Sequence, residues 1–145
     1  MKPVRLHAAM LPAVAELEQA VFPHPWSEQA LSLLCGQEAF GFAVTDGARV
    51  MAYGGMLTVL DEGQITNIAT HPDHRRNGYA AAVLEALLAE ARLRRLSFVT
   101  LEVRESNVPA ISLYQKHGFE TVGRRPRFYT QPVEAALLMQ CDLTT

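Results

Sequence analysis

The hydrophobic period of this chain changes once, between Thr70 and Ala80, and that change constrains the fold more than any other feature. Before it, apolar residues come in short runs broken by turn residues. Phe40 to Thr45 reads as a strand, Asp46-Gly47 as a two-residue turn, and Arg49 to Leu60 as a long second strand. Asp61-Glu62-Gly63 is another turn, and Gln64 to Thr70 is the next strand. After the change, from Arg76 to Arg95, the apolar positions are Ala80, Val83, Leu84, Leu87, Leu88 and Ala91. Their spacing is that of an amphipathic helix. Arg92, Arg94 and Arg95 sit in its last turn, where the helix dipole favours cations. An antiparallel meander that feeds a helix predicts an α/β chain.

The flanks fit the same reading. Val4 to Ala8 is a short first strand, and Leu11 to Ala20 a helix with Pro12 in its first turn. Val14, Leu17 and Val21 lie along one side of that helix. Phe22-Pro23-His24-Pro25-Trp26 is a rigid loop, and Ser27 caps a second helix that runs through Cys35. Phe98 to Val103 is a β-branched strand, and Pro109 to His117 a helix ended by Gly118. Phe119 to Gly123 and Ala135 to Cys141 close the chain as strands. The order β-α-α-β-β-β-α-β-α-β-β implies a mixed, mostly antiparallel central sheet flanked by helices, in one domain over residues 1–145.

Composition removes several function classes. At 49% apolar and 19% charged residues, the chain is ordinary globular material, not a disordered tail. A formal net charge of −2 gives no global basic field for nucleic acid, though Arg75-Arg76, Arg94-Arg95 and Arg124-Arg125 could hold discrete phosphates. Two cysteines, Cys35 and Cys141, make neither a disulfide framework nor a zinc ligand set, and both read as small buried hydrophobes. The apolar-rich run from Tyr79 to Ala91 is cut by Glu85 and Glu90, too short and too charged to span a bilayer. No signal peptide is evident at the start. The expectation is a soluble, cytoplasmic protein with no membrane and no direct nucleic-acid partner.

Three constellations carry chemistry. Thr70 to Ala80 is a strand, a basic loop and a helix start. Free N–H groups, the helix dipole, two arginines and the small Gly78, Ala80 and Ala81 make an anion site, with pyrophosphate as the natural guest. Neither a dinucleotide G-x-G-x-x-G fingerprint nor a P-loop is present, and a plain helix-capping loop remains an alternative. Glu102 lies in an otherwise apolar strand: Val99, Leu101 and Val103 share one face, Thr100 and Glu102 the other. It reads as a cleft carboxylate, a general base with a raised pKa, or else a salt-bridged surface glutamate. Asn107 is placed to cap the helix that follows Pro109, and Tyr114 lies on that helix. Its phenol is a neutral donor able to protonate a thiolate, or else a core aromatic. Lesser candidates are His24 and Trp26 at a substrate mouth and Arg127-Phe128-Tyr129 near the last turn. His71 and His74 flank Asp73 but have no further ligand nearby, so no metal is expected.

In this order the three constellations resemble the GNAT superfamily of N-acetyltransferases. Arg75-Arg76-Asn77-Gly78-Tyr79-Ala80 is similar to its Q/R-x-x-G-x-G/A loop for the acetyl-CoA pyrophosphate. Asn107, Ala110, Leu113, Tyr114, Gly118 and Phe119 resemble its N-x-x-A-x-x-L-Y-x-x-x-G-F segment. Pro25-Trp26-Ser27-Glu28, Asn67-Ile68-Ala69, Leu101-Glu102-Val103-Arg104 and Arg127-Phe128-Tyr129 resemble the bacterial ribosomal-protein-alanine N-acetyltransferases. The resemblance implies acetyl-CoA as cosubstrate, with Ile68, Ala69 and Thr70 pairing with its pantetheine arm. It implies Arg75, Arg76, Asn77, Gly78, Tyr79, Ala80 and Ala81 around the pyrophosphate, and Asn107 at the cofactor arm. Glu102 would be the base and Tyr114 the acid, with Trp26, Phe128, Tyr129 and Glu134 touching the acceptor. The acceptor it implies is the N-terminal alanine of a small-subunit ribosomal protein; a small-molecule amine, or a CoA sensor without catalysis, are the rival readings. Two departures stand out. Ala81 occupies a position commonly basic in the family, and the turn Thr130-Gln131-Pro132-Val133 is short.

Overall fold

A computed structural model of the chain describes residues 2–75 and 77–144. Within them the chain forms β1 (Val4–Arg5), α1 (Leu11–Val21), α2 (Glu28–Leu31), β2 (Ala39–Asp46), β3 (Arg49–Val59) and β4 (Glu62–Thr70). These are followed by α3 (Tyr79–Leu93), β5 (Phe98–Arg104), α4 (Val108–Lys116), β6 (Phe119–Thr130) and β7 (Val133–Asp142). The seven strands make one sheet in the order β1-β2-β3-β4-β5-β7-β6. Every neighbouring pair is antiparallel except β4 and β5, which run parallel. The α/β class and the mostly antiparallel sheet are those expected from the pattern.

The sheet is buried on both faces at its centre. Val50 to Met56 of β3 is an unbroken buried run, as a strand covered on both sides requires. On one face Val83, Leu84, Leu87, Leu88 and Ala91 of α3 pack with Phe40, Met56, Val99 and Met139. On the other, Leu11, Val14 and Leu17 of α1 pack with Leu31, Leu34, Ala43 and Tyr53. Gly54 permits the close approach of α3: a Cβ there would sit 2.8 Å from Val83 Cγ1 and 3.1 Å from Leu87 Cδ1. Each fully buried leucine or valine of these clusters contributes roughly 1.5–3 kcal/mol of transfer free energy.

Four boundaries differ most from the sequence expectations. The first strand is only Val4–Arg5, and a 3₁₀ turn over Ala8–Met10 takes up the rest. The second helix stops at Leu31 and tightens into a 3₁₀ turn over Ser32–Leu34; Ser27 does cap it, accepting from the Ala30 N–H at 3.1 Å. Cys35 beyond it is only half-buried, whereas Cys141 is buried. The long helix begins at Tyr79, because Gly78 is its N-cap with φ +77°, a left-handed conformation that belongs outside a helix. The largest difference is β6, which runs on to Thr130 rather than stopping at Gly123. Its middle is charged and exposed, so no apolar alternation marks it. Pairing with β7 carries it, and the register shifts between Arg125 and Tyr129, where Pro126 and Arg127 (φ +54°) leave the ladder.

Candidate active site

The site begins where two parallel strands part. β4 and β5 pair only at Glu62–Phe98, Gly63–Val99 and Gln64–Thr100. Beyond Gln64 the β4 chain keeps its β3 partner, with a register shift opposite Gly55 and Met56 that leaves Thr66 out of the ladder. β5 meanwhile pairs with β7 as far as Arg104. The edge of β4 from Ile65 to Thr70 therefore faces a gap in the middle of the sheet. Unpaired strand edges carry N–H and C=O groups that need a partner.

Two cavities open from this gap. One, of about 790 Å³, lies between the C-terminal part of β4, the first turn of α3 and α4. Ile68, Ala69, Thr70, Arg75, Gly78, Tyr79, Ala80, Ala81 and Asn107, all singled out from sequence, line it. The first turn of α3 points its N–H groups there, a concentration of positive potential suited to an anion. Asn77 stands aside and donates its side-chain N–H to the His74 carbonyl at 3.2 Å. Arg76 lies outside the described residues. One arginine of each of the other two pairs is committed elsewhere. Arg94 donates to Glu90 at 2.8 Å and covers the Phe40 ring at 4.1 Å, and Arg124 donates to Glu105 at 2.5 and 3.1 Å.

The second cavity, of about 440 Å³, lies on the other side of the gap. Trp26 and His24 of the loop after α1, Glu102 of β5, and Phe128 and Tyr129 of β6 line it. Glu102 is exposed beside half-buried Thr100, while Val99, Leu101 and Val103 on the opposite face are buried. The alternation fixes which way the carboxylate points. Phe22, Ile68, Asn107 and Tyr114 belong to the walls of both cavities. Asn107 caps α4, its Oδ1 accepting from the Ala110 N–H at 3.3 Å. That cap aims α4 so that Tyr114, one side chain deep in the helix, reaches the junction.

Tyr114 is buried at 8% exposure and stacks at a tilt on Phe119, centroids 5.8 Å apart. Burial, and next the neighbouring Tyr129, push its phenol up to about 12. Tyr129 is also pushed up, by burial first and then by the Glu102 carboxylate, against the opposing effect of Arg104. The Arg104 guanidinium lies over the Tyr129 ring at 4.3 Å and donates to the Gln131 and Pro132 carbonyls, each at 3.0 Å. Glu134, expected at the acceptor, does not line the cavity. It accepts from the Ser106 N–H at 2.6 Å and from Arg104 at 3.3 Å; the Ser106 contact first and Arg104 after it hold its carboxyl below the usual range. The nearby Glu105 is paired with Arg124.

Among the wall residues not singled out from the sequence is a buried glutamate. Glu18 of α1 is 1% exposed and lines the second cavity. It accepts from the Trp26 N–H at 2.9 Å, from Asn67 Nδ2 at 2.9 Å and from the Tyr53 hydroxyl. The signal was available: Leu11, Val14, Glu18 and Val21 fall at helical spacing, so a glutamate sits in the apolar stripe. Among the described residues no group of three or more His, Cys, Asp or Glu converges as a metal site, and no helix is long and apolar enough to cross a membrane.

A split parallel pair with a cavity on either side of it and a tyrosine at their junction is an architecture suited to a group-transfer enzyme. The chain belongs to the GNAT acetyltransferase family, whose sequence model matches residues 11–119. It is accordingly an acyl-transferring enzyme. It is 36% identical over 141 residues to the ribosomal protein bS18-alanine N-acetyltransferase of Escherichia coli strain K12, covering 96% of this chain and 95% of that one. The crystal structure of the Escherichia coli ribosomal-protein-S18-alanine N-acetyltransferase superposes with a TM-score of 0.90 at 34% identity, covering 99% of this chain and 94% of that one. Arabidopsis thaliana NAA60, crystallised in complex with acetyl-CoA, shares the fold at 17% identity, with a TM-score of 0.87 over 99% of this chain and 98% of that one.

Proposed function

We propose that the chain transfers the acetyl group of acetyl-CoA to a protein N-terminal amine, namely the N-terminal alanine of a small-subunit ribosomal protein. One observation carries the reading. The cleft suited to a phosphate-bearing cofactor and the cavity holding Glu102 share a wall at Tyr114 and Asn107. A thioester threaded along the open edge of β4 ends at that wall, and an amine entering the second cavity meets it there. The likeness to the bS18-alanine enzyme over nearly the full chain supports the choice of acceptor.

The reaction follows from the groups present. The thioester arm carries amide groups, which pair with the free edge of β4 as an added strand would. Its pyrophosphate takes the N–H groups of Gly78 to Ala81, aided by Arg75. An α-amino group titrates near 7.7–8.0, so at neutral pH most of it is the non-nucleophilic ammonium. Glu102 takes that proton, directly or through water, and the amine nitrogen attacks the thioester carbon. Backbone N–H groups of the β4 edge stabilise the oxyanion. As the C–S bond breaks, the electron pair goes to sulfur and Tyr114 supplies its hydrogen there; the second proton, released by the newly acylated nitrogen, passes to water, and the phenol is restored from solvent.

A phenol near 12 is fully protonated at the moment it is needed. It is a weaker acid than a thiol of about 8.5 in water, so its help is greatest while the sulfur is still buried, where desolvation raises the thiol too. No covalent enzyme intermediate is required. The test is release of CoA thiol with a peptide beginning Ala-Arg-Tyr-Phe, with the same peptide blocked at its N-terminus, and with a panel of small amines. Turnover of the free peptide alone is expected. Turnover of small amines alone would keep the chemistry and reject the acceptor.

A further inference from the structure

We infer that Glu18 is a positioning residue for the acceptor: its buried carboxylate pins the Phe22–Trp26 wall to the sheet and so sets the opening through which the amine reaches Glu102. The inference rests on the acetyl-transfer reading of this site. Its physical basis is the environment of that carboxylate. Glu18 is 1% exposed, and its three donors are all neutral: the Trp26 N–H, the Tyr53 hydroxyl and Asn67 Nδ2. Burying a charge without a cation is costly, and an apolar side chain in this stripe would avoid the cost. What the carboxylate supplies instead is convergence. Its donors come from three separate segments: the loop after α1, the centre of β3, and β4.

The loop has few other means of attachment. Pro23 and Pro25 carry no N–H, so the Trp26 N–H is one of the few backbone donors that can tie it down. The Phe22 N–H ends α1 by donating to the Glu18 carbonyl at 2.9 Å, so one residue holds the loop at both ends. Asn67 carries the clamp into the place where β4 leaves β5: it follows the bulged Thr66, whose hydroxyl donates to Asn67 Oδ1 at 3.0 Å. The pinned wall faces Phe128 and Tyr129; Arg104 lies over the Tyr129 ring from the other side, and Phe128 packs edge-on against Tyr129. Glu18 touches the walls and their supports rather than the reacting atoms of the proposed transfer, so it acts through Trp26.

Glu18→Gln tests this at nearly constant volume, because an amide N–H₂ then meets at least one of three converging donors. The Michaelis constant for the acceptor peptide should rise about tenfold while that for acetyl-CoA stays within about twofold. Trp26 is the sole tryptophan, so its emission reads the wall directly. In the free protein that emission should shift to the red and become more open to quenching by acrylamide. Tyr53→Phe removes one donor only, and should move the same readouts by about two- to threefold, which keeps the test available if Glu18→Gln does not fold. Equal rises in both Michaelis constants, or an unchanged Trp26 emission, would each overturn the clamp. Emission is read without substrate, so the clamp is judged even if wild-type protein turns over no amine, a result that would overturn the acetyl-transfer reading separately.

Discussion

The two cavities that meet at Tyr114 are built in opposite ways. Half of the anion cleft's lining comes from one stretch of chain between Ile68 and Ala81, and that half offers main-chain atoms: an open strand edge and the first turn of a helix. The acceptor cavity is assembled from α1, the loop after it, β4, β5 and β6, and is held together by side chains. Glu18 ties one wall and Arg104 the other. A backbone site keeps its donors whatever side chains surround it. A side-chain site loses its shape when one buried partner goes, because the groups left behind are desolvated and unpaired. Substitutions should therefore separate into those that touch the junction, those that disturb the acceptor alone, and those that barely change the cofactor.

The largest effect belongs to the junction. Tyr114→Phe should lower kcat by about 10²–10³-fold while the acetyl-CoA dissociation constant, measured by calorimetry, stays within about twofold. In the wild type, kcat should not decline on the alkaline side before about pH 10, because a phenol near 12 keeps its proton throughout that range. Glu102→Gln comes next, with kcat/KM at pH 7 down roughly 10²-fold. Its sign with pH is fixed by the amine: without a base, only amine already neutral reacts. The deficit should then shrink as pH rises past about 8 and grow below it. A deficit independent of pH would assign Glu102 to binding rather than proton transfer.

A smaller effect is confined to one cavity. Arg104→Ala frees Tyr129 and the turn at Gln131-Pro132, and should raise the acceptor KM about five- to tenfold with the acetyl-CoA KM unchanged. A matching rise for acetyl-CoA would break the division between the two cavities. The smallest concerns the cleft's own departure from its family. Ala81→Arg should tighten acetyl-CoA by about threefold in low salt, the gain from phosphate being offset in part by a cation at a helix N-terminus. The gain should fade in high salt.

The same division explains what was legible in the sequence. The meander and α3 announced themselves through strong periodicity, and the loop from Thr70 to Ala80 is a local motif, so its place between strand and helix could be read. Glu102 and Tyr114 were legible because each breaks a local pattern: a carboxylate in an apolar strand, a phenol on the helix that Asn107 caps. β6 was hidden beyond Gly123 because its pairing with β7, rather than its own alternation, holds its exposed residues in a strand. Glu134 was assigned to the acceptor by its neighbourhood in sequence, but Arg104 and Ser106 claim its carboxylate. Glu18 was overlooked because its partners, Tyr53 and Asn67, lie 35 and 49 residues away. Long-range hydrogen bonds leave no periodic trace; the only sign was a charge in an apolar stripe.

The most direct measurement is tandem mass spectrometry of the Ala-Arg-Tyr-Phe peptide, extended by a lysine, after incubation with the enzyme and acetyl-CoA. The account predicts a single acetyl group on the α-nitrogen of the alanine, formed by wild-type protein and nearly lost with Tyr114→Phe. An acetyl group on the lysine side chain instead, or an equal yield from Tyr114→Phe, would contradict it.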